Sequence, residues 1–197
     1  MLKACGRASR SSASANLVFR RGPAWAATTT DPTGVLANLD RRTLPGRRAA
    51  VIGCGGSGRA IASALSRAGA HMTLVNRSYE RGEEASRLLG LPFAPLSRFS
   101  AEGYDLIINA TPVGTRGEAL PFTLRGVARH AVVVDLVYAQ GPTPLVESAR
   151  ASGVRVVDGR EVLLAQVERQ FTRMTGLAPP TGLVAERLGL APQIRAG

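Results

Sequence analysis

The stretch Val51–Ala60, Val-Ile-Gly-Cys-Gly-Gly-Ser-Gly-Arg-Ala, constrains this chain more than any other. Ala49 to Ile52 is a short apolar run that reads as a buried strand. Gly53, Gly55 and Gly58 follow at the G-x-G-x-x-G spacing, and from Ala60 to Ala68 small and apolar residues recur at a helical period. The bare spacing also occurs in ordinary glycine loops. A strand before it and a helix after it are the context in which it binds the pyrophosphate of a dinucleotide. Gly53 permits the tight turn, Gly55 lets the backbone approach the anion, and Gly58 lets the helix pack close to the strand. The N–H groups of the helix start, at Gly56, Ser57 and Gly58, face the anion.

The chain of 197 residues suits one full domain with an appendage. Its 45% hydrophobic and 20% charged residues are those of a globular soluble protein. No apolar run approaches the ~18–20 residues that span a bilayer, so no membrane association is expected. Two cysteines, Cys5 and Cys54, make no disulfide framework and point to a reducing, cytoplasmic compartment. The net charge of +11 raises the question of nucleic acid, but seven of those charges come from residues 1–48. No basic run is interleaved with aromatics, so no nucleic-acid partner is expected. His71 opens a strand and His130 stands alone in a loop, which gives no metal site.

Residues 1–15 are rich in Ser, Ala and Arg and lack acids. That composition fits a disordered or incomplete N-terminus, and also an organelle transit peptide. Asn16–Phe19 and Ala24–Thr29 read as a small hairpin. Asp31 before Pro32 reads as an N-cap with proline at the first helical position, and the short helix continues to Leu39. Pro45-Gly46 is the linker. From Arg48 strands and helices alternate. Strands are expected at His71–Val75, Pro92–Ala94, Tyr104–Asn109, Ala131–Leu136 and Val154–Val157. Helices are expected at Tyr79–Leu89, Thr143–Ser152, Arg160–Thr175 and Gly182–Leu188. The alternation implies an α/β fold, a doubly wound parallel sheet covered on both faces.

The end of the second strand of this unit discriminates between dinucleotides. A carboxylate there accepts hydrogen bonds from the adenosine ribose of NAD. This chain has Asn76-Arg77-Ser78 and no acid before Glu80. Arg77 can pair with a 2′-phosphate and stack on adenine, while Asn76 and Ser78 add neutral polar groups. NADP is the expected cofactor. The carboxyl ends of the later strands line the same crevice. They carry Asn109, Thr111, Pro112 and Val113, then Asp135 and Tyr138, then Asp158-Gly159.

With these residues in place the sequence resembles the NADP-binding domain of the shikimate dehydrogenase family. The glycine turn with Arg59-Ala60-Ile61, Asn76-Arg77-Ser78 and Asn109-Ala110-Thr111-Pro112-Val113-Gly114 resemble that family's segments. So do Val134-Asp135-Leu136-Val137-Tyr138 with Thr143-Pro144-Leu145, and the closing run from Asp158-Gly159 through Gln166 to Thr175-Gly176. The likeness covers about residues 46–190, and Glu161 makes the last motif look most like the forms fused to a dehydroquinase. Upstream, Ala13-Ser14-Ala15-Asn16 is similar to Gly-Ala-Val-Asn, and Thr29-Thr30-Asp31-Pro32-Thr33-Gly34 to Asn-Thr-Asp-x-x-Gly, with Thr29 in place of an asparagine.

The resemblance implies a Rossmann-type domain over 46–180 and a C-terminal helix and tail over 181–197. Residues 1–45 would then be a remnant of a preceding substrate-binding domain with its linker helix. It implies NADPH-dependent reduction of 3-dehydroshikimate to shikimate, in aromatic amino-acid biosynthesis. Asn16, Asp31, Tyr138 and Gln166 would bind the small-molecule substrate, and Gly159 and Val162 would flank the nicotinamide. Asp31 would also be the acidic partner of a catalytic lysine. The family's lysine and serine pair lie in a domain ahead of these segments. Lys3 is the only lysine here, and Ser9, Ser11, Ser12 and Ser14 read as a polar tail. The chain is therefore expected to be catalytically incomplete alone, lacking most of that N-terminal domain. A non-catalytic NADP-binding module or gene fragment, and a quinate/shikimate dehydrogenase, are the alternatives. Apolar surface is expected along 16–39 and 182–190, with a homo-oligomer as one way to cover it.

Overall fold

Every second residue of the apolar runs faces the same side of a sheet, and here both sides are covered. In a computed structural model, which describes residues 2–5 (by backbone alone), 11–117, 119–139 and 141–190, six parallel strands form the central sheet. They are β4 (Arg48–Ile52), β5 (His71–Asn76), β6 (Phe93–Pro95), β7 (Leu106–Asn109), β8 (Val132–Asp135) and β9 (Arg155–Val157), and β1 to β3 belong to a second sheet. The order β6-β5-β4-β7-β8-β9 is that of a doubly wound sheet. The winding reverses between β4 and β7, so the crevice opens where the glycine turn leaves β4.

Val51, Ile108 and Val134 point to one face, into a cluster with Ile61 and Leu65. Ile52, Ile107 and Val133 point to the other, with Leu145 and Ala149. Burial of both faces is why these runs are continuously apolar rather than alternating. The first face is covered by α2 (Gly56–Arg67) and α3 (Tyr79–Leu89), the second by α4 (Pro144–Ala151). No helix links β7 to β8. Phe122 and Leu124 of that connection cover the second face instead, with Phe122 edge-on to Phe99 at 5.5 Å.

Most expected elements are present, shifted at their ends by up to two residues, but the short helix expected to continue to Leu39 ends at Leu36. The third strand is Phe93–Pro95 rather than Pro92–Ala94, pairing with Leu74–Asn76 at the sheet edge. Two expectations change. Residues 1–15 are not wholly a loose tail: β1 (Leu2–Cys5) pairs in parallel with β3 (Ala24–Thr28), and Ser12 is fully buried. Residues 6–10, which include Ser9, lie outside the described residues, as does the Lys3 side chain. The hairpin partner β2 (Leu17–Arg21) turns through Gly22-Pro23, with Gly22 at φ +59. Asp31 is not a helix cap. Thr30 holds the cap position of α1 (Asp31–Leu36), and the Asp31 side chain is drawn into tertiary hydrogen bonds.

Helix α1 packs against α2 and against α5 (Gly159–Thr175), with Val35 fully buried in the first core cluster. The contact is backbone-close: a Cβ on Gly34 would stand 2.7 Å from the Val162 carbonyl oxygen. The last helix, α6 (Thr181–Arg187), packs on α5. Val18, Trp25 and Leu183 are about half exposed, at 52%, 45% and 53%, within the two segments where exposed apolar surface is expected.

Candidate functional site

Two polar constellations lie at the carboxyl end of the sheet. The first is a cleft of about 570 Å³ over the glycine turn. Gly53 has φ +106, and a Cβ there would meet the Ala110 carbonyl oxygen at 2.8 Å. A Cβ on Gly58 would stand 1.8 Å from the Gly53 carbonyl oxygen, so helix and turn are in direct contact. Gly55 differs, because nothing lies within 4 Å of the place a Cβ would take. Its bare Cα faces the cleft, and the first N–H groups of α2 have no intrahelical acceptor. That is the shape an oxyanion of a dinucleotide requires.

Asn76, Arg77 and Ser78 line the same cleft, opposite Thr111, Pro112 and Val113. Asn76 braces it: its Oδ1 accepts from the Cys54 N–H at 3.1 Å, and its Nδ2 donates to the Ser78 carbonyl at 2.8 Å. Ser78 caps α3 by accepting from the Arg81 N–H. Arg77 is exposed and has no ion pair among the described residues. Arg81, one helical turn on, joins it in the cleft wall together with Glu84. Sequence reading missed Arg81, which lies in the first turn of α3, four residues after Arg77. Cys54 also lines the cleft. Burial pushes its thiol up to about 11, so it stays protonated at neutral pH and is not a nucleophile.

Asn109 and Asp135, both expected at the cofactor, are fully buried and bonded to each other. Asn109 Nδ2 donates to Asp135 Oδ1 at 2.9 Å, and Asn109 Oδ1 accepts from the Thr111 hydroxyl at 2.7 Å. Asp135 also accepts from the Thr143 hydroxyl and the Val137 N–H. Burial raises the Asp135 carboxyl above its ordinary value, opposed by these three donors. The pair fixes the loops after β7 and β8, so it acts on the cleft through Thr111 and Val113. Val162 is likewise buried, against Gly34 of α1. Gly159 packs closely on the loop after β8, since a Cβ there would stand 2.1 Å from the Val137 carbonyl oxygen. Tyr138 is 60% exposed at the edge of the sheet.

The second constellation joins residues far apart in sequence. Asn16 Nδ2 donates to Asp31 Oδ1 at 2.6 Å, and Gln166 Nε2 of α5 donates to the same oxygen at 3.0 Å. Asn16 Oδ1 accepts from the Thr30 N–H at 2.8 Å, and Gln170 Nε2 donates to the Thr30 hydroxyl at 2.9 Å. The expected trio of Asn16, Asp31 and Gln166 is thus one cluster, to which Thr30 and Gln170 are additions. Asp31 Oδ2 has no partner among the described residues. A carboxylate with one oxygen held by two amides and the other open suits a hydroxyl-bearing ligand.

Gln166 is positioned by the start of α5. Asp158 accepts from the Arg160 N–H at 2.9 Å, and Glu161 Oε2 accepts from the Asp158 N–H at 2.8 Å, a capping box. Burial raises the Asp158 carboxyl, but the Arg160 bonds outweigh it and hold the group below its ordinary value. The ionised form is therefore the one the fold favours. Its contribution is present at neutral pH and is lost as the pH falls through the depressed value. Asp158→Ala is expected to lower stability by about 1 kcal/mol at neutral pH. In urea melts followed from about pH 5 to about pH 2, the gap between variant and wild type should close. A gap that stays constant would show that Asp158 acts by packing alone.

This chain is similar to the shikimate dehydrogenase (NADP+) of Geobacter sulfurreducens, at 36% identity over 186 residues, 86% of this chain and 65% of that protein. It is 34% identical over 201 residues to the shikimate dehydrogenase (NADP+) of Stenotrophomonas maltophilia, across 95% of this chain and 71% of that one. The solved shikimate 5-dehydrogenase of Thermus thermophilus, in complex with NADP(H) and shikimate, superposes with a TM-score of 0.83 at 30% identity, over 95% of this chain and 72% of that chain. The chain spans less than two thirds of the Geobacter relative's length. No family model matches it.

Proposed function

The chain belongs to the shikimate dehydrogenase family, and we propose that it carries the NADP site and part of the substrate site of such an oxidoreductase, one that reduces 3-dehydroshikimate to shikimate with NADPH. In this reading residues 46–180 form the NADP-binding domain, and 1–45 and 181–197 are the parts that meet a substrate-binding domain.

One observation carries the proposal. The segment ahead of β2 touches both constellations: Ser14 lies against Gly56 at the glycine turn, and Asn16 sits in the Asp31 cluster. Two residues of chain span at most about 7 Å. One short segment therefore ties the hydroxyl-binding cluster to the turn. Hydride transfer needs that proximity between a ring carbon and a nicotinamide. When bound, NADP supplies the hydride carrier. Gly53 and Gly58 shape its pyrophosphate cradle, and Gly55 leaves the approach open. Arg77 and Arg81 offer charge for a 2′-phosphate. Asn16 and Gln166 hold the Asp31 carboxylate with its second oxygen free to accept from a substrate hydroxyl, where it would orient the donor of the proton that the carbonyl oxygen gains as the hydride arrives.

The purified chain is expected to bind NADPH at least about tenfold more tightly than NADH in a fluorescence titration. Shikimate should shift the side-chain amide resonances of Asn16 and Gln166. Equal affinity for the two nucleotides would remove the NADP assignment, and unmoved amides at saturating shikimate would remove the substrate cluster.

A further inference from the structure

We infer that the Ser14 hydroxyl is a ligand of the cofactor pyrophosphate, held over the start of α2 by a strap that Arg59 clamps to the glycine turn. The inference rests on the NADP reading above.

Three observations support it. Arg59 lines the cleft, and its guanidinium donates to the Ser12 carbonyl at 2.9 Å, the Ala13 carbonyl at 3.3 Å and the Cys54 carbonyl at 3.3 Å. One side chain thus ties the strap to the turn. The strap is fastened again farther along α2, where Arg67 and Ser63 meet the Ser11 hydroxyl at 3.2 and 3.3 Å. Between these ties Ala13 adopts φ +49, the only positive φ outside glycine among the described residues. L-residues rarely take that conformation, and here it turns the chain so that Ser14 comes over the helix start. A Cβ on Gly56 would stand 2.7 Å from Ser14 Oγ.

The Ser14 hydroxyl has no partner among the described residues, and the N–H groups beside it are the unpaired first ones of α2. A free hydroxyl donor next to free amide donors is a wall of an anion site.

Titration calorimetry on wild type, Ser14→Ala and Ser14→Thr, with NADPH and with 2′,5′-ADP, tests this. The second ligand keeps the adenosine end and lacks the pyrophosphate. Ser14→Ala should weaken NADPH about five- to tenfold, Ser14→Thr should stay within about twofold of wild type, and 2′,5′-ADP should bind all three alike. Unchanged NADPH affinity in Ser14→Ala would overturn the inference. So would a parallel loss of 2′,5′-ADP, which would make Ser14 a packing residue of the strap. A wild type that binds neither ligand would overturn the cofactor reading and this inference together, an outcome distinct from both.

Discussion

Gly58→Ala is expected to abolish NADPH binding and to destabilise the chain by about 3 kcal/mol, at the upper end of the usual cost of overpacking. The added methyl would stand 1.8 Å from the Gly53 carbonyl oxygen, 3.0 Å from its carbon and 3.3 Å from Val51 Cγ1. None of these is the far end of a flexible side chain. Gly53 cannot retreat, because Ala110 and Thr111 already fill the space on its far side. The helix must move off β4 instead, carrying its first N–H groups out of register with Arg77 and Thr111. Gly55→Ala is the control, since its methyl meets nothing. It should leave the urea midpoint nearly unchanged, within about 0.5 kcal/mol, while its methyl enters the cleft and weakens NADPH. If both variants melt and bind alike, the two glycines do not have the separate roles that their surroundings assign.

The glycine turn was legible because its constraints are local. Each glycine answers to a steric demand within one strand–turn–helix unit, and buried parallel strands declare themselves by continuous apolar runs. The caps Thr143 and Asp158 emerge only in the structure, although each stands directly before the helix it caps. The β7–β8 connection was less legible. Nothing in residues 110–131 has a helical or strand period, and only packing reveals that Phe122 and Leu124 close the second face.

The substrate cluster divides along the same line. Family resemblance named Asn16, Asp31 and Gln166, but no local pattern could show that residues 15 and 135 positions apart share one carboxylate oxygen. Asp31 before Pro32 looks like a cap because the sequence signal for a helix start is the same whether the carboxylate turns inward or away. Asn109 and Asp135 are legible as strand-end residues, but their bond to each other is not. Strand ends can be read from sequence, whereas the direction in which a buried polar group spends its hydrogen bonds is a property of neighbouring strands. The N-terminal strap was hidden by its composition: Ser and Ala with two arginines read as a tail until Arg59 and Arg67, from another element, supply its partners.

Arg77→Ala is expected to weaken NADPH by about ten- to a hundredfold and to leave NADH within about twofold, which would nearly erase the discrimination between them. Arg77 has no ion pair among the described residues, so its charge is available to a ligand anion in the cleft. The 2′-phosphate is the one anion by which the two nucleotides differ. Arg77 is exposed, so part of the effect is screened, and the wild-type preference should shrink as salt is raised. Arg81→Ala should give a smaller loss of the same kind, because Arg81 shares the wall with Glu84. Asn76→Ala should behave differently. Asn76 holds the Cys54 N–H and the Ser78 carbonyl, and thereby the shape of the cleft rather than its charge. Its loss should weaken both nucleotides by similar factors and leave the salt dependence unchanged. Titrations of the three variants with both nucleotides at two salt concentrations separate charge from shape. Equal losses of NADPH and NADH in Arg77→Ala would assign Arg77 to adenine stacking alone and leave the 2′-phosphate without a partner in this residue.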